Sequence, residues 1–501
     1  MKILFLNPSR TGQGSIPINV PLLIGALKQK HHKVKLFDMS DYDVFDDKSY
    51  DDMFFKEASF DERKVVLERK AFYKEDYGVV VDGCGLKKTA YVVDFENILR
   101  AFNPDIIAVT SMSVDFDFAC DFLKPLKQKY NIPIIFGGIH AILLPEETLM
   151  SSVCDYVCTG EGEKCLVELV EAMETGKPLE NVRGIWFKRE EKICKNEPEL
   201  LTDLEDIPIV DFDCYDPIHF YRPFDGRKYK MLNYEVSRGC PFSCTYCVNG
   251  VLKEKYKDLG SYNRKKNVKQ SIHELEYLIK KYNFDFIRFW DEDFTSLPLE
   301  YLQEYSRMYI EKIKLPFLIY ARVNTVTEEK VKILKEMGCR TFAMGIESGN
   351  EFIRKKVMNR IMSNDLIAEK FGLVKQYGIR VSAYNIMGLP LETRERIFDT
   401  IALNKKIMPD SFSVTLLEPY RGTPIRKMCE DEGLPETHKT SFGEAQFVPK
   451  GMTYEELKGL FRTFAFYVHF PEEEYNKIKK AETDDGVYED LVKEYKELIK
   501  K

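Results

Sequence analysis

Ser237-Arg-Gly-Cys-Pro-Phe-Ser-Cys-Thr-Tyr-Cys-Val-Asn249 carries three cysteines, Cys240, Cys244 and Cys247, at the spacing C-x3-C-x2-C. A loop this short turns three thiolates toward one compact ligand set. Soft thiolates at that density select iron–sulfur or zinc over hard cations. Three ligands rather than four is the informative feature. A cuboidal cluster held by three cysteines has one iron without a protein ligand, open to a substrate or cofactor. Gly239 and Pro241 suit the tight turn that wraps such a cluster. A zinc knuckle asks instead for a fourth Cys or His close by, and the next histidine is only His273.

Outward from this loop, strands and helices alternate in both directions. The 501 residues are enough for two or three domains, and 44% hydrophobic with 13% aromatic content gives packed cores. A net charge of −7 points away from nucleic acid. No run of eighteen apolar residues exists, so no membrane span is expected. The opening Met-Lys-Ile-Leu-Phe-Leu-Asn is too short and too quickly polar for a signal peptide, and twelve cysteines then read as reduced thiols of a cytoplasmic protein.

Upstream, the pattern is α/β. Strands are expected over 2–7, 33–38, 105–113, 133–138 and 155–160, with helices over 19–30 and 116–130. This is the rhythm of a flavodoxin-like, Rossmann-type doubly wound sheet spanning 1–195. Such sheets bind ligands at the carboxyl ends of their strands. Those ends carry Thr110-Ser-Met-Ser113, Gly137-Gly-Ile-His140 and Thr159-Gly-Glu-Gly-Glu163, where glycines let a bulky cofactor approach the backbone. Residues 40–92 break the alternation and read as a mostly helical insertion, a lid or a solvated decoration. A hairpin is expected over 184–188 and 192–195, then an acidic, proline-bearing linker within 196–230. Cys154, Cys158 and Cys165 read as buried free thiols, and His140 as a packed histidine.

Downstream, strands are expected over 234–237, 285–290, 318–322, 341–346, 380–387 and 411–417, with helices over 268–282 and 328–337. Six such units over 231–425 make an open (β/α)6 barrel with its site at the carboxyl strand ends. The tail, 426–501, carries helical periodicity over 452–467 and 488–500. Its one cysteine, Cys429, disfavours a second cluster there.

The cysteine loop, down to the aromatic Tyr246 before its last cysteine, resembles that of the radical S-adenosylmethionine (SAM) enzymes. The resemblance implies a [4Fe–4S] cluster on Cys240, Cys244 and Cys247. Its open iron would chelate SAM and cleave it to a 5′-deoxyadenosyl radical, with an electron from a flavodoxin or ferredoxin. Later strand ends resemble the family in order. Phe289-Trp-Asp-Glu-Asp-Phe-Thr295 offers Asp291 or Glu292 to the SAM ammonium, and Arg322 is a partner for its carboxylate. Gly345-Ile-Glu-Ser-Gly349 places Glu347 at the ribose. Gly388-Leu-Pro-Leu-Glu-Thr393 sets Gly388 beside the adenine, with Leu391 where the family has glycine. Pro419-Tyr-Arg-Gly-Thr-Pro424 matches a further turn, with Arg421 in place of proline.

The N-terminal segments are similar to the cobalamin (B12)-binding domain that precedes many radical SAM domains. This likeness makes Ser111, Ser113, Gly137, Gly138, Gly160, Glu161 and Gly162 the expected cobalamin contacts. The D-x-H-x-x-G histidine of the mutases is missing from 8–15. The function implied is methylation of an unactivated carbon of a small molecule. Alternatives are oxidative cyclisation or rearrangement, radical SAM chemistry without a corrinoid, and a non-catalytic iron–sulfur electron carrier.

Overall fold

A computed structural model of the chain describes residues 1–9, 16–42, 87, 89–189, 192–224, 227–437 and 445–500. The residues described fall into two compact units: those within 1–46, 82–220 and 253–264, and those within 221–252 and from 265 onward.

The first unit is built on β1 (Lys2–Asn7), β2 (Lys33–Asp38), β3 (Ile106–Thr110), β4 (Ile134–Gly137) and β5 (Tyr156–Cys158). These five are parallel in the order β2-β1-β3-β4-β5. The order is the flavodoxin-like one expected. Ile3, Leu4, Phe5 and Leu6 of β1 are all buried, because a central parallel strand is covered on both faces. A hairpin, β6 (Ile185–Arg189) and β7 (Lys192–Lys195), extends the sheet antiparallel from β5. The helix Tyr91–Phe102 crosses from β2 to β3 and buries Phe95 and Leu99 against Leu4, Ile107 and Phe122. Asn103 and Asn131 end their helices in the left-handed conformation. Most of the 40–92 insertion lies outside the described residues.

The second unit is a seven-stranded sheet. Its strands are β8 (Tyr221–Phe224), β9 (Arg227–Tyr234), β12 (Phe286–Phe289), β13 (Phe317–Ala321), β14 (Cys339–Glu347), β15 (Arg380–Met387) and β16 (Ser411–Leu416). Two-residue strands β10 (Ser237–Arg238) and β11 (Arg264–Lys265) stand apart from it. The six strands from β9 to β16 run parallel in chain order, as a partial barrel requires. Helix starts are written in the sequence: Thr327, Ser363, Thr393 and Thr453 each accept the N–H three residues on.

Two expectations change. The first barrel strand is Arg227–Tyr234, not 234–237, so the chain leaves the sheet before the cysteine loop begins. Its Arg-Lys-Tyr-Lys start hides the strand because it is polar where β9 pairs antiparallel with the edge strand β8. That pairing also puts strand structure in 221–230, where the sequence suggests linker. The tail is helical at Tyr454–His469 and Asp485–Lys500. Cys429 is buried with Ile353, Leu389 and Phe447. Among the described residues no helix is long and apolar enough to cross a membrane.

Candidate active site

The cysteine loop is fastened at both ends. At its entrance Asp291 accepts the backbone N–H groups of Val236, at 3.2 Å, and Ser237, at 2.6 Å, and the Ser237 hydroxyl at 2.5 Å. Burial nevertheless pushes the Asp291 carboxyl up to about 7, with those donors opposing the rise. Further along, Thr245 N–H donates to Met358 O at 3.2 Å and Ile425 N–H to Thr245 O at 3.1 Å. Asn359 Nδ2 donates to Ser243 O at 2.8 Å. The Tyr246 ring packs on the apolar cluster of Ile353, Leu389 and Phe447. Gly239 holds φ +89, a left-handed turn.

The sulfurs differ in their surroundings. Cys244 is buried, with Arg322 Nη1 at 3.0 Å and Arg360 Nη1 at 4.0 Å from its Sγ. Cys247 Sγ takes the Asn249 amide at 3.5 Å. Burial pushes the Cys240 thiol up to about 12, so a metal there displaces a proton rather than meeting a ready thiolate. Among the described residues no three His, Cys, Asp or Glu side chains gather closely enough for a single metal ion. A cuboidal cluster asks for wider spacing, since each cysteine bonds a different iron.

The carboxylates at the strand ends divide by role. Asp291 is buried and holds the loop entrance. Glu292 reaches solvent although protein surrounds it, and crowding raises its carboxyl above the usual range while the Asn249 amide opposes the rise. Its charge also raises the thiols of Cys240 and Cys247. Asp293 is buried against Thr295, Thr325 and the Arg322 N–H. Arg322 is stacked on Phe242 at 3.8 Å and donates through Nε to Asn324 Oδ1 at 3.1 Å.

Glu347 ends β14 at φ +67, just past a register shift between Gly345 and Glu347. Its carboxylate turns back over Gly345, where a Cβ would stand 2.1 Å from Oε1. Tyr246 Oη donates to it at 3.1 Å, and Arg360 lies 3.7 Å away. Glu392 Oε2 accepts the N–H groups of Gly388 at 2.7 Å and Leu389 at 3.1 Å. That closes the turn in which Leu391 stands at φ +63. The sequence gives no hint of Arg360, which follows a strand end by thirteen residues in a basic, loop-like run, nor of a role for Asn249. Glu392 could have been found as the acid of the turn motif.

In the first unit the expected contacts sit at the ends of β3, β4 and β5. Ser111 N–H donates to Gly137 O at 3.1 Å, and Ser111 Oγ is buried without a hydrogen-bond partner among the described residues. Gly138 holds φ +88, and a Cβ there would stand 2.8 Å from Ser111 O. His140 is packed as expected: its ring stacks on Phe116 at 3.9 Å and Nδ1 meets Ser113 Oγ at 3.1 Å. Gly160 and Gly162 flank Glu161, whose carboxylate is held by both terminal nitrogens of Arg264. Cys154, Cys158 and Cys165 are buried free thiols.

Residues 234–403 match the pattern of the Radical SAM superfamily. A Pyrococcus horikoshii protein named as an uncharacterized methyltransferase is 31% identical over 357 residues, covering 70% of this chain and 75% of that protein. The chain belongs to the radical SAM superfamily. Residues 70–170 of this radical SAM enzyme match the B12 binding domain pattern. An anaerobic magnesium-protoporphyrin IX monomethyl ester cyclase of Cereibacter sphaeroides is 26% identical, covering 72% of this chain and 59% of that protein. In fold, the radical SAM chain is similar to the methyltransferase TsrM from Kitasatospora setae, with a TM-score of 0.66 at 14% identity over 99% of each chain. Its cofactors are those of the two matched domains: a [4Fe–4S] cluster, SAM and cobalamin. The chain's own residues fit them, in three cysteines on one fastened loop and in the orphaned Ser111 Oγ at the carboxyl end of β3.

Proposed function

We propose that this radical SAM enzyme is a cobalamin-dependent methyltransferase that acts on an unactivated carbon of a small molecule. The observation that carries the proposal is the pairing of radical SAM and B12 patterns in a chain 31% identical to a protein named as a methyltransferase. When bound, the cofactors supply one-electron cleavage of SAM, hydrogen-atom abstraction and a transferable methyl group.

Cys240, Cys244 and Cys247 hold the cluster. Glu292 rather than Asp291 receives the SAM ammonium, because Asp291 is buried against Val236 and Ser237 while Glu292 is exposed. Glu347, propped by Tyr246, takes the ribose hydroxyls, and Gly388 offers backbone beside the adenine. Arg322 is removed from the SAM carboxylate by its commitment to Cys244 and Asn324. Ser111, Ser113, Gly137, Gly138, Gly160 and Gly162 border the cobalamin, while Glu161 anchors the chain through Arg264. The reducing equivalents come from a flavodoxin or ferredoxin in the cytoplasm.

Oxidative cyclisation is the second reading, favoured by the similarity to the Cereibacter cyclase. Anaerobic reconstitution with SAM, cobalamin and a reductant tests both. Formation of 5′-deoxyadenosine with a substrate gain of one methyl supports methylation. Formation of 5′-deoxyadenosine with loss of hydrogen and no added methyl supports cyclisation. No SAM cleavage removes both and leaves an electron carrier.

A further inference from the structure

Two arginines from different parts of the barrel end on one sulfur. Arg322, at the end of β13, brings Nη1 to 3.0 Å from Cys244 Sγ, and Arg360, fifteen residues beyond the Gly345 carbonyl it donates to, brings Nη1 to 4.0 Å. Both are buried, as is Cys244. Neither guanidinium is loosely placed. Arg322 is pinned between the Phe242 ring and Asn324, and Arg360 among Gly345 O, Tyr246 Oη at 3.2 Å and Glu347 at 3.7 Å.

A buried cation is costly unless a negative group faces it. Among the described residues Arg322 forms no ion pair within 4 Å; Asp293 and Glu347 act on it at longer range, and the group its fork touches is the Cys244 sulfur. The other two cysteines are treated differently. Cys247 Sγ takes a neutral amide at 3.5 Å, and Cys240 accepts a backbone N–H from Phe242. Positive charge is therefore concentrated on one ligand of the three.

We infer that Arg322 and Arg360 are positioning residues that raise the reduction potential of the cluster by acting on the Cys244 sulfur. The inference rests on the assignment of Cys244 as a cluster ligand. Donors and cations beside a ligating sulfur draw electron density from it and favour the state carrying the extra negative charge. The step they act on is the entry of one electron from an external low-potential donor, which oxidises the donor by one electron and moves no proton. Arg322 has the larger effect because it lies closer to the sulfur, whereas Glu347 pairs with Arg360 at 3.7 Å and offsets part of its charge; Asp293 and Glu347 act on Arg322 only at longer range.

The test is a redox titration of the reconstituted full-length enzyme without SAM, followed by electron paramagnetic resonance, with iron and sulfide counted per chain. Arg322→Met is expected to keep its iron and to make reduction about tenfold less favourable, a fall of about 59 mV for one electron. Arg360→Met is expected to shift the same way by less. Arg322→Gln and Arg360→Gln, which keep an N–H donor and drop the charge, fall between wild type and the Met variants. Iron-loaded variants with the wild-type midpoint would overturn the inference. So would failure of all four variants to load iron while wild type does, because the arginines would then build the site rather than tune it. A wild-type chain that takes up no cluster instead removes the assignment of the cysteines underneath.

Discussion

The carboxylate of Asp291 accepts the Ser237 backbone N–H at 2.6 Å, so the acid at the end of β12 is a fastening for the cysteine loop. Its neighbour Glu292 is turned to the open side. Asp291→Ala leaves the buried Val236 N–H and the half-buried Ser237 N–H without this acceptor and is expected to lower the unfolding free energy by ~1–3 kcal/mol. Iron retained per chain should fall with it. Glu292→Gln is expected to leave the denaturation midpoint close to wild type while 5′-deoxyadenosine formation drops at least tenfold. A pair of denaturant titrations and SAM-cleavage assays distinguishes the two acids, and equal behaviour would contradict the division of roles.

Leu391 occupies a left-handed backbone position, φ +63, in the turn where its family carries glycine. Its side chain is 41% exposed, so packing returns little for the strain. Leu391→Gly is expected to stabilise the fold by ~0.5–1 kcal/mol, the left-handed penalty less the added entropy of an unfolded glycine. Chemical denaturation at constant slope reads this directly.

Burial raises the Glu392 carboxyl to about 8, with the Leu389 and Gly388 N–H groups opposing the rise. The folded state therefore holds a proton that the unfolded chain releases above its ordinary carboxyl pKa. Stability is fullest below about pH 4.5 as far as this group is concerned and is lost as pH rises toward 8. The slope within that window reaches about 1.4 kcal/mol per pH unit. Glu392→Gln keeps an acceptor for the turn and is expected to flatten that slope in denaturation series between pH 5 and 8.

Gly138 is hemmed by Ser111, whose carbonyl would lie 2.8 Å from a Cβ, and it holds φ +88. Gly138→Ala must move the ends of β3 and β4 apart. Cobalamin affinity, followed by corrinoid absorbance on titration, is expected to fall at least tenfold while cluster absorbance is retained. Cys240→Ala, Cys244→Ala and Cys247→Ala should show the reverse pattern, losing cluster absorbance and SAM cleavage and keeping the corrinoid.

Strands with continuous apolar runs, such as Ile106–Thr110 and Ile134–Gly137, are legible in sequence because burial on both faces leaves little room for polar residues. The pair Tyr221–Phe224, at the sheet edge, and Arg227–Tyr234 beside it is not, since strands at and next to an edge tolerate lysine and proline. Glycines and cysteines announce their positions through spacing. The choice between Asp291 and Glu292 stays hidden, because adjacent residues of one type differ only in the direction the backbone turns them. Arg360 is hidden for a related reason: nothing in a basic run says which cation is folded inward.

Beyond Glu347 the chain is sewn to the helix Arg394–Ile407. Gly349 N–H donates to Thr400 Oγ1 at 2.8 Å, Asn350 Nδ2 to Asp399 Oδ2 at 2.7 Å, and any Cβ on Gly349 would collide with the Asp399 carbonyl. The unfavourable φ of Glu347 is thus imposed by seams on its far side rather than by whatever it grips. Its geometry is set when the chain folds, before a ligand arrives. An enzyme that releases a species able to attack almost any C–H bond has reason for such rigidity, since stray reactivity is restrained by walls already standing.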